Sequence, residues 1–184
     1  MVISDGIQIS ETQTLAINIV LQNDQTPIIY LGAMTQNSTE VFVEGNLLSQ
    51  PIQVASRAEV IDLDTGIFPF HSAVVMLLNS PDFPSESIYI NDPTQFSASL
   101  DLDSNSTTLQ VFSDPAEPSG ISQQTVQDLF RSIFYRNTAV EPSSDTRFIK
   151  FVVYDNTSSG LRASDPSYAE LTIQLTDGAP VVTA

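Results

Sequence analysis

Residues 16–30 read AINIVLQNDQTPIIY, and residues 169–183 read AELTIQLTDGAPVVT. With Pro27 laid over Pro180, Asp24 falls on Asp177, and Ile19–Leu21 falls on Thr172–Gln174 in the same context of strand, turn and proline. Upstream, Val2-Ile3-Ser4-Asp5 resembles Val152-Val153-Tyr154-Asp155. Self-similarity at a fixed offset is the mark of a repeat architecture. Here it predicts three pieces: 1–26 as the C-terminal strands of a preceding unit, 27–179 as a complete unit, and 180–184 as the start of the next. A proline after a polar turn fixes φ and stiffens such a junction. The chain opens in mid-pattern, without a basic stretch leading into an apolar run, and is expected to be a piece of a longer protein.

Between the two copies the chain is a succession of short β-branched and aromatic runs, punctuated by Pro, Asn, Asp, Gly and Ser. Strands are expected at Thr14–Leu21, Ile28–Leu31, Thr39–Val43, Ala58–Ile61, Ala73–Leu78, Ser87–Ile90, Gln95–Leu100, Thr107–Phe112, Phe148–Tyr154 and Ala169–Leu175. In Thr39–Val43, Val41 and Val43 share one face and Phe42 takes the other. Short strands at this spacing predict an all-β sandwich or barrel. One segment follows another period. Val126, Leu129, Phe130 and Ile133 stand at i, i+3, i+4 and i+7, which predicts a short helix over about 122–133, capped by Ser122 and leading into a strand at Phe134-Tyr135.

The balance of 22 acidic against 6 basic residues gives a formal charge of −16. Such a surface repels nucleic acid and anionic lipid and attracts cations, so no nucleic-acid partner is expected. The acidic residues are scattered rather than blocked, unlike a disordered acidic tail. No apolar run is long enough to cross a bilayer as a helix, so no membrane insertion of this segment is expected. The absence of cysteine excludes disulfides, thiolate metal sites and cysteine nucleophiles. Three Asn-x-Ser/Thr sequons, at Asn37, Asn105 and Asn156, are candidate glycosylation sites.

Several segments, in order, resemble the cadherin-like and immunoglobulin-like tandem repeats of very large surface and adhesion proteins. Asp24-Gln25-Thr26-Pro27 and Asp177-Gly178-Ala179-Pro180 resemble the junction of that family, and Glu40–Gly45 (EVFVEG) its opening strand. Val60–Asp64 (VIDLD) resembles the segment before its central strand. Leu129–Thr138 (LFRSIFYRNT) resembles its passage from helix to strand, and Pro142–Asp155 its late strand. The resemblance runs from about residue 27 to 180. It implies a Greek-key β-sandwich in an extended extracellular array, with a structural or adhesive role. Its partners would be neighbouring repeats of the same chain, other copies in a fibre, or a cell-surface molecule.

The same resemblance implies calcium at the junctions. Calcium takes six to eight oxygen ligands. The candidates are Asn23 and Asp24 in the linker, Glu44 after the opening strand, the Asp62-x-Asp64 pair, and Asp177 in the second linker. In an extended Asp-x-Asp both carboxylates point to one side. The alternative is that these aspartates hold turns by accepting from backbone N–H groups. No catalytic residues are expected. His71 is the sole histidine and has no Gly-x-Ser-x-Gly elbow, Asp101 and Asp103 alternate with leucines as a solvated strand face would, and no phosphate loop or zinc spacing is present. A carbohydrate- or protein-binding module is the alternative function, with Tyr30, Phe83, Tyr89 and Tyr168 as candidate platforms, although there is no Trp.

Overall fold

The computed structural model describes residues 6, 16–17, 22–44, 50–63, 69–96, 100–104, 106–113, 120–157 and 160–176. Within them the chain forms twelve strands and one helix. The strands are β1 (Ile28–Tyr30), β2 (Ser38–Val43), β3 (Ile52–Gln53), β4 (Glu59–Ile61), β5 (Phe70–Leu77), β6 (Glu86–Ile90), β7 (Leu100–Ser104), β8 (Thr108–Ser113), β9 (Ile133–Asn137), β10 (Arg147–Thr157), β11 (Gly160–Ala163) and β12 (Ser167–Gln174). The helix α1 spans Gln123–Arg131.

The largest sheet runs β2-β12-β10-β5-β8-β7, with β11 also on β10. A three-stranded sheet runs β3-β9-β6, and β1 pairs with β4. Every pairing is antiparallel except β2 on β12, which is parallel and joins Ser38–Val43 to Ala169–Gln174. A parallel pair needs a long crossover. Here most of the described chain lies between the two strands, so an early strand closes against a late one.

Alternation decides what is inside. Ile149, Phe151 and Val153 of β10, Ala169, Leu171 and Ile173 of β12, and Ala73, Val75 and Leu77 of β5 all point into one core. The three-stranded sheet supplies Ile88, Ile133 and Tyr135 to the same core. Phe42 of β2 meets Tyr135 of β9 edge to face, with ring centroids 5.3 Å apart, so the two sheets face each other in a sandwich-like packing.

The helix forms where its period predicts. Val126, Leu129 and Phe130 are buried, and Phe130 stands edge-on to Phe151 at 5.1 Å. Ser122 is the N-cap, its Oγ accepting from Thr125 N at 3.1 Å. The helix stops at Arg131, short of the expected 133: Ser132 is the C-cap, its ψ of 3° leaves the helical region, its N–H is shared between Asp128 O and Leu129 O, and its Oγ donates to Leu129 O. Ile133 is therefore the first residue of β9 rather than the last of the helix. Upstream, Gly120 has φ +70°, and a Cβ there would lie 2.6 Å from Pro69 Cγ and 2.9 Å from Phe70 O. That close approach allows the Phe70–Ile121 bridge that leads into α1.

Most expected strands appear within a residue or two; β5 and β12 run longer at their N-terminal ends, and β10 runs longer mainly at its C-terminal end, to Thr157. The expected strand Gln95–Leu100 is corrected at its first two residues. Pro93–Gln95 is a 3-10 turn in which Asp92 caps Thr94 N, and Phe96 closes it; residues 97–99 lie outside the described residues, and Leu100 belongs to β7. Asp-Pro sets this turn locally. The strands β3 and β11 are additional. The expected strand Thr14–Leu21 and the pieces 1–26 and 180–184 lie wholly or largely outside the described residues.

Candidate functional site at the two ends of the central strand

β10 carries a polar cluster at each end, and both begin from strand parity. Counting by twos from Ile149, Phe151 and Val153 puts Asp155 and Arg147 on the core-facing side as well. Each is fully buried.

At the C-terminal end of β10, Asp155 Oδ1 accepts from Asn156 N at 2.7 Å and from Asn23 Nδ2 at 2.9 Å. Asn23 Nδ2 also donates to Asn156 O at 2.9 Å. From β11, Arg162 Nη1 donates to the carbonyl of Asp24. Two side chains of the β10–β11 hairpin and one of its carbonyls thus hold the segment that leads into β1. Asp62 stands at this same end. It follows Ile61, which pairs with Ile28, and it is 7 % exposed.

The fit of these groups to a hard cation can be tested on their oxygens. Asp155 Oδ2 and Asn23 Oδ1 are both buried and have no hydrogen-bond partner. An uncompensated buried carboxylate oxygen is costly. A cation that takes carboxylate and amide oxygens would relieve it. Among the described residues no group of three or more His, Cys, Asp or Glu side chains is close enough to hold a metal by itself. The oxygens at this end are mixed: the Asp155 carboxylate is held by the Asn23 amide, and the Asp62 carboxylate stands after β4 at the same end. Asp24 is exposed and contributes its carbonyl to Arg162.

Glu44 does not join them. β2 ends at Val43 beside Gln174, the last residue of β12, and Glu44 N donates to Gln174 O at 3.0 Å. Thr176 Oγ1 donates to Glu44 O at 2.9 Å. Glu44 thus lies at the opposite end of the sheet, next to the exit of β12. The expected set divides, with Asn23, Asp24 and Asp62 at the end where the chain enters β1 and Glu44 at the end where it leaves β12. Asp64 and Asp177 lie outside the described residues.

The second polar cluster surrounds Arg147 at the N-terminal end of β10. Its Nε donates to Glu86 Oε2 at 2.9 Å, Nη2 to Asp82 Oδ2, and Nη1 to the carbonyls of Ser143 and Asp145. Tyr135 Oη donates to the same Glu86 Oε2 at 2.7 Å, and Glu86 is fully buried. Asp82 also accepts from Asn137 Nδ2 at 2.7 Å and from Ser143 N. Burial and the Glu86 bond push the Tyr135 hydroxyl pKa up, so it remains a donor. Burial alone would lower the Arg147 pKa, but the Glu86 hydrogen bond and the nearby acidic groups outweigh it and raise it. One guanidinium joins β6, the loop after β5 and the loop before β10. It is a structural staple with no open face for chemistry.

The sequence reading missed Asp155, Arg147, Glu86, Asp82 and Tyr135. The available signal was a charged residue on the inward parity of a strongly alternating strand, as Arg147 and Asp155 are in β10 and Glu86 is beside Ile88 and Ile90 in β6.

The remaining candidates are dispersed. Asn37 and Asn156 are exposed, and Asn105 lies outside the described residues. His71 Nδ1 is 3.1 Å from Ser72 Oγ, and its ring stands edge-on to Phe112. Asp101 and Asp103 lie on β7, as the leucine alternation implied. Tyr89 stacks obliquely on Phe134 with Arg136 over its ring, Phe83 is 61 % exposed, and Tyr30 and Tyr168 are half-buried. No helix among the described residues is long and apolar enough to cross a membrane.

No family model matches this chain, and a search of curated proteins gave no match.

Proposed function

We propose that this chain is a structural, adhesive repeat of a long extracellular protein or filament, with a Greek-key sandwich of the cadherin-like or immunoglobulin-like kind and no catalytic role. The observation that carries the reading is the attachment of residues 23–24 to the β10–β11 hairpin through Asn23, Asp155 and Arg162. A linker bonded to the unit it precedes transmits orientation from one unit to the next. The parallel closure of β2 on β12 supports the same fold assignment.

Calcium fits the end of the unit that receives the linker. Asp155, Asp62 and Asn23 would hold it, with Asp64 as the further carboxylate the sequence offers. Its chemistry there would be to neutralise buried oxygens and rigidify the junction. Glu44, with Asp177, would serve the following junction.

The test is thermal unfolding of the protein with calcium and with a chelator, together with solution scattering of two consecutive units. Binding to the folded state alone raises the midpoint by linkage, so calcium is expected to stabilise the protein and to extend the pair. An unchanged midpoint would retire the cation. A compact, globular pair in both conditions would overturn the array.

A further inference from the structure

The outer face of the large sheet carries a groove of about 420 Å³ that the junction reading leaves unused. Its floor is a row across three strands: Phe148 on β10 pairs with Glu170 on β12, and Glu170 with Thr39 on β2. Leu78 closes the row beside Phe148, to whose carbonyl its N–H donates at 2.9 Å. Tyr168 and Asn37 also line the groove. Phe148 is 41 % and Leu78 50 % exposed, so the face offers apolar rings and chain beside a carboxylate and an amide. That mixture suits an amphipathic ring such as a pyranose, which stacks its C–H face on aromatic carbon and offers hydroxyls to acceptors.

Asn37 is also the first residue of the sequon Asn37-Ser38-Thr39. It is exposed, and its Oδ1 accepts from Tyr168 N at 2.9 Å. That bond engages only the oxygen, which glycosylation leaves in place, and it fixes the side chain at the rim of the groove. Asn156, the other described sequon, is exposed on the β10–β11 hairpin and does not line this groove.

We propose that Asn37 is N-glycosylated and that the first N-acetylglucosamine of its glycan lies in this groove against Phe148 and Tyr168. In the transfer, Asn37 Nδ2 bonds to C1 of an oligosaccharide carried on a polyprenyl diphosphate. The C1–O bond breaks, the diphosphate leaves with the electron pair, and Nδ2 gives up one proton. The ring then covers apolar surface that would otherwise face water, and Glu170 accepts from its hydroxyls. The inference rests on the extracellular reading only for the native protein to meet the transferase.

The test uses the whole chain secreted from a eukaryotic host. Peptide mass spectrometry reads occupancy at Asn37, and endoglycosidase trimming then leaves a single N-acetylglucosamine. The same chain made in a bacterial host without the transferase keeps Thr39 and the Asn37–Tyr168 bond but carries no sugar, so it is the bare reference. The trimmed protein is expected to unfold about 2–4 °C above it, the shift a modest contact gives in a domain of this size. In a Phe148→Ser background, which controls for any direct cost of that substitution, the difference between trimmed and bare protein is expected to vanish. An unmodified Asn37, or a sugar effect equal in both backgrounds, overturns the proposal. Saturable binding of free chitobiose by bare protein, with Asn37 unmodified in the secreted form, would make the groove a lectin site instead and also overturn it. None of these failures touches the array reading, which stands or falls on the scattering of two consecutive units.

Discussion

Arg147 shows what a single buried charge demands. It is among the largest fully buried side chains, and its donors are spent on two carboxylates and two carbonyls. Such a cluster tolerates the loss of no partner, because the charge left behind cannot reach water. Arg147→Met and Glu86→Gln are each expected to cost about 3–5 kcal/mol in chemical denaturation. Arg147→Lys should recover little, since a lysine cannot reproduce the planar fork. A loss below about 1 kcal/mol for Arg147→Met would show that the loops hold without the staple. Tyr135→Phe should cost less, about 1.5–3 kcal/mol, because Glu86 Oε2 keeps its bond to Arg147. Glu40 makes the opposite case. Burial raises its pKa, with Arg57 only partly opposing it. Its charged form is thus disfavoured in the folded chain, and its effect on stability is a penalty that grows as pH rises through the folded pKa. Glu40→Gln is expected to raise the unfolding midpoint at pH 7, with the gain disappearing below the ordinary carboxylate range. A gain that persisted in acid would assign the effect to something other than charge.

At the scale of elements, legibility followed pattern length. The helix was readable because four apolar residues at helical spacing and a serine cap agree, and the cap carries part of its stability. Ser122→Ala is expected to cost about 1 kcal/mol, measured by urea denaturation. Gly120→Ala should cost more, since the added methyl meets Pro69 and the Phe70 carbonyl at a positive φ. Equal losses at the two positions would argue against that steric account. β10 and β12 were readable because alternation runs over eight residues or more. β3 has two residues, and β11 reads Gly-Leu-Arg-Ala without a β-branched or aromatic side chain, so neither carries the run of such residues that marked the short β1 and β4. The false strand at Gln95 arose from β-propensity being given more weight than Asp92-Pro93, whose local capping bond wins over four residues. Phe96, read as a strand residue, is instead a buried turn residue at 5 % exposure.

For the whole molecule, what could not be read was which distant residues meet. Asn23 and Asp155 are 132 positions apart, and their proximity depends on β10 reaching the end at which β1 begins. Glu44 and Asp62 are nearer in sequence yet stand at opposite ends, because β2 and β4 leave their sheets in opposite directions. Composition told the sign of the surface but not where its charges converge. At −16 the unit repels itself. Added neutral salt is therefore expected to raise its unfolding midpoint even without calcium, an effect a titration with a monovalent salt would read. A midpoint that falls with salt would mean that specific ion pairs outweigh the net repulsion.

The parallel pairing of β2 with β12 also has a mechanical meaning. In the proposed array, tension would enter the chain ahead of β1 and leave after β12. Because the two strands run the same way, the start of β2 and the end of β12 lie at opposite ends of their shared ladder, and a pull along the chain slides one strand past the other. The six residue pairs from Ser38–Ala169 to Val43–Gln174 then resist together rather than opening one after another. β1, held to β4 by three pairs, would peel away first and lengthen the chain slightly before the ladder bears load. A filament of such units would stretch a little at each link and then hold.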